Sequence, residues 1–294
     1  MHSFKQQEFE IVFELSGEFP VKRLCRVLSV NRSGFYKWKK RLENPSPKMQ
    51  SFIQDVQIFR EYHEKYPSHG YRWLNAKIRL DEGLLMSDQR AHRCCKFAGI
   101  ASKAKRYRYK KAGTPDRLFP NLLMAGIKID GPLQCVVSDM TAFKVDGTYY
   151  ELTLYMDLWN NEIVAHELSA KKGDRMTYLN GLHTLIDLKK ENPELNMVLH
   201  TDQGSVYSSK EFNELLPLYN ITRSMSRAGT PTDNAAMEAI NGWIKEEMKL
   251  DFHISGEDVK KEVDDYIVFF NERRPAYSLN YLTPKEFKAI YSSN

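Results

Sequence analysis

The pattern of apolar and polar positions changes period near residue 133. Upstream, apolar residues recur every three or four positions, as in helices buried along one face. In PVKRLCRVLSVNRSGFYKWKKR (20–41), Val21, Leu24, Cys25 and Leu28 mark one short helix, and Phe35, Tyr36 and Trp38 mark a second. A turn at Ser29-Val30-Asn31 separates them, and Ser33 is the expected cap of the second helix. This is the outline of a helix-turn-helix, a unit that can set its second helix in a DNA major groove. Asn44-Pro45-Ser46-Pro47 breaks the pattern and reads as a linker. Helices are then expected over about 50–65, 70–81 and 88–98. Trp73, Leu74, Ile78 and Leu80 are their candidate core positions, and Ser87 is expected to cap the third, with Arg90 and Arg93 facing outward.

Downstream, the period shortens. LQCVVSDMTAFKV (133–145), TYYELTLYMDLW (148–159) and EIVAHELSA (162–170) are β-rich runs divided by short polar turns, as three antiparallel strands would be. A helix capped by Asp174 follows over 174–190, then a buried strand, NMVLH (196–200). Helices from about 208, over 232–249 and over 256–274, with a short strand at 221–225, complete a mixed α/β pattern.

Charge divides the chain in the same way. Residues 1–120 carry a net charge of +13 and residues 121–294 a net charge of −8. The basic arm suits a polyanionic partner, and KAKRYRYKK (103–111) is its densest part. There Lys103, Lys105, Arg106, Arg108, Lys110 and Lys111 can neutralise phosphates while Tyr107 and Tyr109 pack on sugars or bases. No run approaches the ~20 apolar residues of a membrane span, and the mixed-charge N-terminus lacks a secretory pattern. Four cysteines without a CxxC pair fit a reduced, cytoplasmic setting.

Two aspartates interrupt the strand pattern. Asp139 follows LQCVVS and Asp202 follows NMVLHT, so both acids fall at or near strand ends. A carboxylate there is costly unless something pairs with it. Glu238, in AAMEAINGWIKEEM, is the third candidate, with 35 residues between it and Asp202, and Lys245 falls near the same helical face two turns later. Among their neighbours, His200 reads as a packed strand-end histidine. Ser205, Tyr207 and Asn234 are open between DNA contact and turn or capping roles. Arg273 and Arg274 are open between binding phosphate and covering the terminal helix.

The stretches SDMTAF (138–143), HTDQGSVYSS (200–209), SMSRAGTPTDNAAMEAINGWIKEE (224–247) and YIVFFNERRPAYSLNYLTPKEF (266–287) resemble insertion-sequence transposases of the IS-three family, OrfB type. FPVKRLCRVLSVNRSGFYKW (19–38) and SHGYRWLNAKI (68–78) extend the resemblance over nearly the whole chain. It implies an RNase H-like, retroviral-integrase-like core with a five-stranded mixed sheet and flanking helices, preceded by small all-α regions. The expected organisation is a helix-turn-helix-like region over 1–47, a helical DNA-binding domain over 48–102, a basic linker over 103–124 and the catalytic core over 125–294. Asp139, Asp202 and Glu238 fall on the family's DDE triad, and Lys245 on its accompanying lysine.

The implied activity is metal-dependent cleavage and transfer of DNA strands at insertion-sequence ends. Two Mg²⁺ or Mn²⁺ ions per site would be held by the three acids. The implied partners are terminal inverted repeats, target DNA, further copies of the chain and an upstream OrfA product, with no membrane. The implied location is the bacterial cytoplasm, at the nucleoid. The alternatives are a non-catalytic DNA-binding regulator derived from a transposase and an RNase H-like nuclease acting on RNA hybrids.

Overall fold

The computed structural model describes residues 4–104, 119–204, 207, 209–227, 235–255 and 258–292. The chain forms two compact units, Met1–Glu61 and Tyr62–Asn294. The first holds α1 (Phe4–Leu15), α2 (Val21–Val27), α3 (Arg32–Glu43) and most of α4 (Pro47–Lys65). Val12, Cys25 and Phe35 are its buried centre, with Phe9, Leu24 and Trp38 packed around them. The cap of α3 is Asn31, two positions before the expected Ser33: its Oδ1 accepts from the backbone N–H groups of Ser33 and Gly34 at 2.8 and 3.2 Å. An Asx side chain at that position reaches two orphan donors of the first turn at once. Pro47 opens α4 directly, so the proline cluster is a short corner.

The second unit opens with the C-terminal end of α4, followed by α5 (Tyr71–Glu82) and α6 (Asp88–Ala98). Ser87 caps α6 through the Arg90 N–H. The sheet comprises β1 (Cys135–Val145), β2 (Thr148–Asp157), β3 (Ile163–Ser169), β4 (Met197–Thr201) and β5 (Ile221–Met225). Interleaved and following are α7 (Arg175–Glu191), α8 (Lys210–Leu218), α9 (Ala235–Leu250), α10 (Val259–Glu272) and α11 (Pro284–Tyr291). Strand order is β3-β2-β1-β4-β5. β1, β2 and β3 pair antiparallel, while β4 runs parallel to both β1 and β5. This is the five-stranded mixed sheet of the RNase H-like fold. Leu182, Leu185 and Ile186 of α7 and Phe212 and Leu216 of α8 form its core with Val136, Tyr155 and Leu199. Burial of the two central parallel strands explains why their sequences read as short apolar runs rather than strict alternations. Among the described residues no helix is long and apolar enough to cross a membrane.

One glycine sets how closely α7 lies on the sheet. A Cβ at Gly181 would stand 2.3 Å from Cε2 of the fully buried Tyr155. That ring cannot withdraw without losing the hydrogen bond its hydroxyl donates to the Tyr178 carbonyl at 2.7 Å. Gly181→Ala is therefore expected to destabilise the protein by about 1–3 kcal/mol, read as a lower midpoint in thermal or urea unfolding. An unchanged midpoint would show that α7 can lift without cost.

Candidate active site

The register of the parallel pair brings the two aspartates together. Cys135 through Ser138 of β1 stand beside Val198 through Thr201 of β4. The next residue on each chain is Asp139 and Asp202. There β4 ends while β1 continues against β2, with Asp139 opposite Leu154. Asp202 Oδ1 accepts from the Gly204 N–H at 2.8 Å. A Cβ on Gly204 would lie 2.9 Å from that same oxygen, so a side chain here would push the Asp202 carboxylate from its place. Asp139 Oδ1 accepts from the Met140 N–H at 2.8 Å, and its Oδ2 accepts from Asn241 Nδ2 of α9 at 2.7 Å.

Electrostatics mark the pair as unusual. Burial, and then the charge of Asp202, push the Asp139 carboxyl up to about 7, against the opposing pull of Met140, Asn241 and Lys245. Burial also raises Asp202, opposed by the Gly204 N–H and by Arg223. Arg223, on β5, is itself buried and sits over the rings of Phe119, Tyr207 and Phe212 at 5.4, 5.8 and 5.3 Å. Desolvation lowers its guanidinium to about 10. Beneath the acids, the Ser138 and Tyr207 hydroxyls are 2.8 Å apart.

Burial and the Asp202 charge outweigh the pull of Lys245 on Asp139, so the site favours further positive charge. Two adjacent hard-oxygen donors fit a divalent cation such as Mg²⁺. Asp157 differs: its two oxygens accept from the backbone N–H groups of Leu133 and Trp159 at 2.7 and 3.0 Å. Glu238 lies exposed on the first turn of α9. Among the described residues no group of three or more His, Cys, Asp and Glu side chains gathers closely enough to hold a metal. The structure thus joins Asp139 and Asp202 and leaves Glu238 outside their cluster, on the helix whose Asn241 touches Asp139.

Lys245 lies near Asp139 and, with Lys144, Lys249, Phe143, Met248 and others, lines a cavity of about 340 Å³ between β1 and α9. Away from this site, Arg93 is exposed and Arg90 half-buried on α6. Lys103 is exposed, with its N–H bonded to the Pro67 carbonyl at 2.9 Å. Asn234, Lys105, Arg106, Arg108, Lys110 and Lys111 lie outside the described residues. His200 is fully buried, with its ring nitrogens 2.8 and 2.9 Å from Ser224 Oγ and Ser226 Oγ. Sequence reasoning missed Asn241 and Arg223. Asn241 carried a signal, since it follows Glu238 by three positions on one helix. Arg223 carried a weaker one, a lone cation within a short strand.

Residues 130–231 and 219–284 match two families, each described as an integrase core domain. InsK of insertion sequence element IS150, from Escherichia coli (strain K12), is 32% identical over 286 residues, covering 95% of this chain and 97% of that protein. The transposase for insertion sequence element IS904, from Lactococcus lactis subsp. lactis (strain IL1403), is 30% identical over 74% of this chain and 86% of its own. Transposase InsF for insertion sequence IS3A, from Escherichia coli (strain K12), is 29% identical over 92% and 95%. Among solved structures, the HTLV-2 integrase catalytic core domain in complex with magnesium matches 54% of this chain and 97% of its own, with a TM-score of 0.43 and 18% identity.

Proposed function

The chain belongs to the IS3-family insertion-sequence transposases with an integrase-like core, and from that membership we propose that Asp139, Asp202 and Glu238 are its metal-binding catalytic acids. The enzyme is a DNA transposase, a polynucleotidyl transferase. The observation that carries the assignment is the pair of adjacent, half-buried carboxylates, one of them raised to about 7 by desolvation and then by the charge of its neighbour. The metal would be Mg²⁺ or Mn²⁺, two ions per site, held by Asp139 and Asp202 together with Glu238. When bound, the ions supply neutralisation of the negative charge that develops on a phosphodiester during displacement.

The chain's own groups do the rest. The Gly204 N–H and the Asn241 amide fix which oxygens of Asp202 and Asp139 face the substrate. Lys144, Lys245 and Lys249 draw a phosphate of the element's end towards β1 and α9. Water attacks phosphorus at that end, a P–O bond forms, the P–O3′ bond breaks, and a 3′-hydroxyl is freed. That hydroxyl then attacks a target phosphodiester, joining the strands and releasing a target 3′-hydroxyl. The basic segments 48–102 and 103–124 hold the terminal inverted repeats, with Arg90, Arg93, Lys103, Lys105, Arg106, Arg108, Lys110, Lys111 and Asn234 as DNA contacts. Two ends require at least a dimer in the DNA complex, with an OrfA product as a further partner, acting at the bacterial nucleoid.

The test is incubation of the protein with labelled end-sequence DNA in Mg²⁺ or Mn²⁺. Cleaved and joined strands are expected, and chelation should abolish both. Binding without either product under all metal conditions would make the protein a regulator. Selective cutting of RNA–DNA hybrids would make it a nuclease.

A further inference from the structure

The SHGYRW stretch has no part in the chemistry above, yet it forms a buried corner behind α9. Glu238 and Lys245 share one side of α9, whereas Glu247, nine residues after Glu238, falls about 180° round the helix at ~100° per residue. There His69, 1% exposed, lies between two indoles: its ring is 3.5 Å from that of Trp73 and 5.8 Å from that of Trp243, nearly parallel to both. His69 Nε2 stands 3.3 Å from Glu247 Oε1 and 3.3 Å from Asp251 Oδ2. The Ser68 N–H and hydroxyl donate to the two Asp251 oxygens at 3.0 and 2.6 Å. Glu247 is held from its other side by Arg274 and by the Tyr266 hydroxyl. The corner is also tied to the start of the basic segment: Ser102 Oγ donates to the Ser68 carbonyl at 2.5 Å, and the Lys103 N–H to Pro67 at 2.9 Å.

Asp139 and Asp202 are placed by the sheet, but Glu238 is placed only by how α9 sits over it. Towards the sheet, the described α9 contacts are apolar side chains and one amide, Asn241. Apolar packing resists lifting more than rotation or sliding, whereas the directional bonds of Ser68 to Asp251 and of Arg274 and Tyr266 to Glu247 fix both. His69 is wedged between Trp73 and Trp243, its Nε2 close to both carboxylates without an aligned hydrogen bond. We propose that His69, with Ser68 and Asp251, is a positioning element that sets the rotation and axial place of α9, and so the approach of Glu238 and Lys245 to the two aspartates. This rests on the assignment of Glu238 as a catalytic acid. Glu247, the α9 residue His69 approaches, lies about 14 Å along the helix from Glu238 at ~1.5 Å per residue, so His69 acts through α9.

The experiment uses the full chain and three variants: His69→Phe, which keeps the stack between the indoles and removes Nε2, Asp251→Asn, and Glu238→Gln. Hydrogen exchange by mass spectrometry is expected to quicken about tenfold in residues 235–250 of His69→Phe and Asp251→Asn, with strands 135–157 unchanged. The joining rate at saturating DNA should fall about 10–100-fold, as for residues that orient metal ligands, while half-saturating DNA stays within twofold. Unchanged exchange in 235–250, or an unchanged rate beside an inactive Glu238→Gln, overturns the proposal. Faster exchange in helix and strands alike also overturns it, since that marks a general stabilising role. Full activity of Glu238→Gln would instead remove the assignment of that acid, and the exchange result would still report whether His69 holds α9.

Discussion

Asp139→Asn is expected to lose at least about 10³-fold in DNA cleavage and joining while melting higher than the parent protein in chelator at pH 8. The two effects share one cause. Folding moves the Asp139 carboxyl to about 7, first through burial and then through the charge of Asp202. An unfolded aspartate titrates near ~3.9, so between those values the folded chain holds a proton that the unfolded chain releases. This group's contribution to stability is complete below about pH 4 and is lost as pH rises through 7. Asparagine stays neutral and still accepts from Met140, and the Asn241 amide must turn so that its oxygen accepts from the new amide nitrogen. Its advantage over aspartate should therefore grow from pH 5 to pH 7 and level off above. Mn²⁺ should raise the melting temperature of the parent protein and leave that of Asp139→Asn nearly unmoved, since only the native site gains from the ligand. Asp202→Asn is expected to be as inactive. Melts in chelator and in Mn²⁺, set beside a joining assay, check all of this. An active Asp139→Asn variant, or one that melts lower at every pH, would show that the acid serves the fold.

Arg274→Ala should cost about 3–5 kcal/mol of stability, the range for removing one partner of a buried ion pair. Burial opposes ionisation of Glu247, and the Arg274 charge, with His69 beside it, overcomes that, holding the acid down at about 2. The guanidinium makes three contacts to that carboxylate, Nε to both oxygens at 2.9 Å and Nη2 to Oε1 at 2.6 Å. Alanine leaves Glu247, with no exposed side chain, facing Tyr266 and His69 alone. The Glu247 contribution is present above the unfolded value of ~4.3 and is lost as pH falls towards 2. The penalty of Arg274→Ala should accordingly shrink between pH 5 and pH 3. The double change Glu247→Met with Arg274→Met should recover much of the loss, because neither partner of the pair is then left as an uncompensated buried charge. Urea titrations at pH 7 and pH 3 measure both. A loss under 1 kcal/mol would mean that water or Tyr266 already satisfies Glu247.

Much of this protein is readable from local pattern. Period two and period three-to-four follow from strand and helix geometry, so element type and order emerge without knowledge of partners. Asp174 and Ser87 were identifiable as caps because a cap bonds within its own turn. Asp139 and Asp202 stood out because an acid ending an apolar run contradicts the burial around it. The spacing to Glu238 and the charge division between the two parts of the chain are likewise properties of sequence alone.

The tertiary structure decided what those acids face and what holds them. Arg273 and Arg274 read as open between binding phosphate and covering the terminal helix, yet Arg274 pairs in the interior with Glu247, 27 positions away. Ser68 falls between the helices expected over 50–65 and 70–81, and in the fold it grips Asp251, 183 positions away. Arg223, unremarked in its short strand, is the buried cation near Asp202. Local periodicity says which face of an element is buried. It carries no record of which distant charge meets that face, because such a pair forms only when the chain has folded and excluded the water that would otherwise separate them.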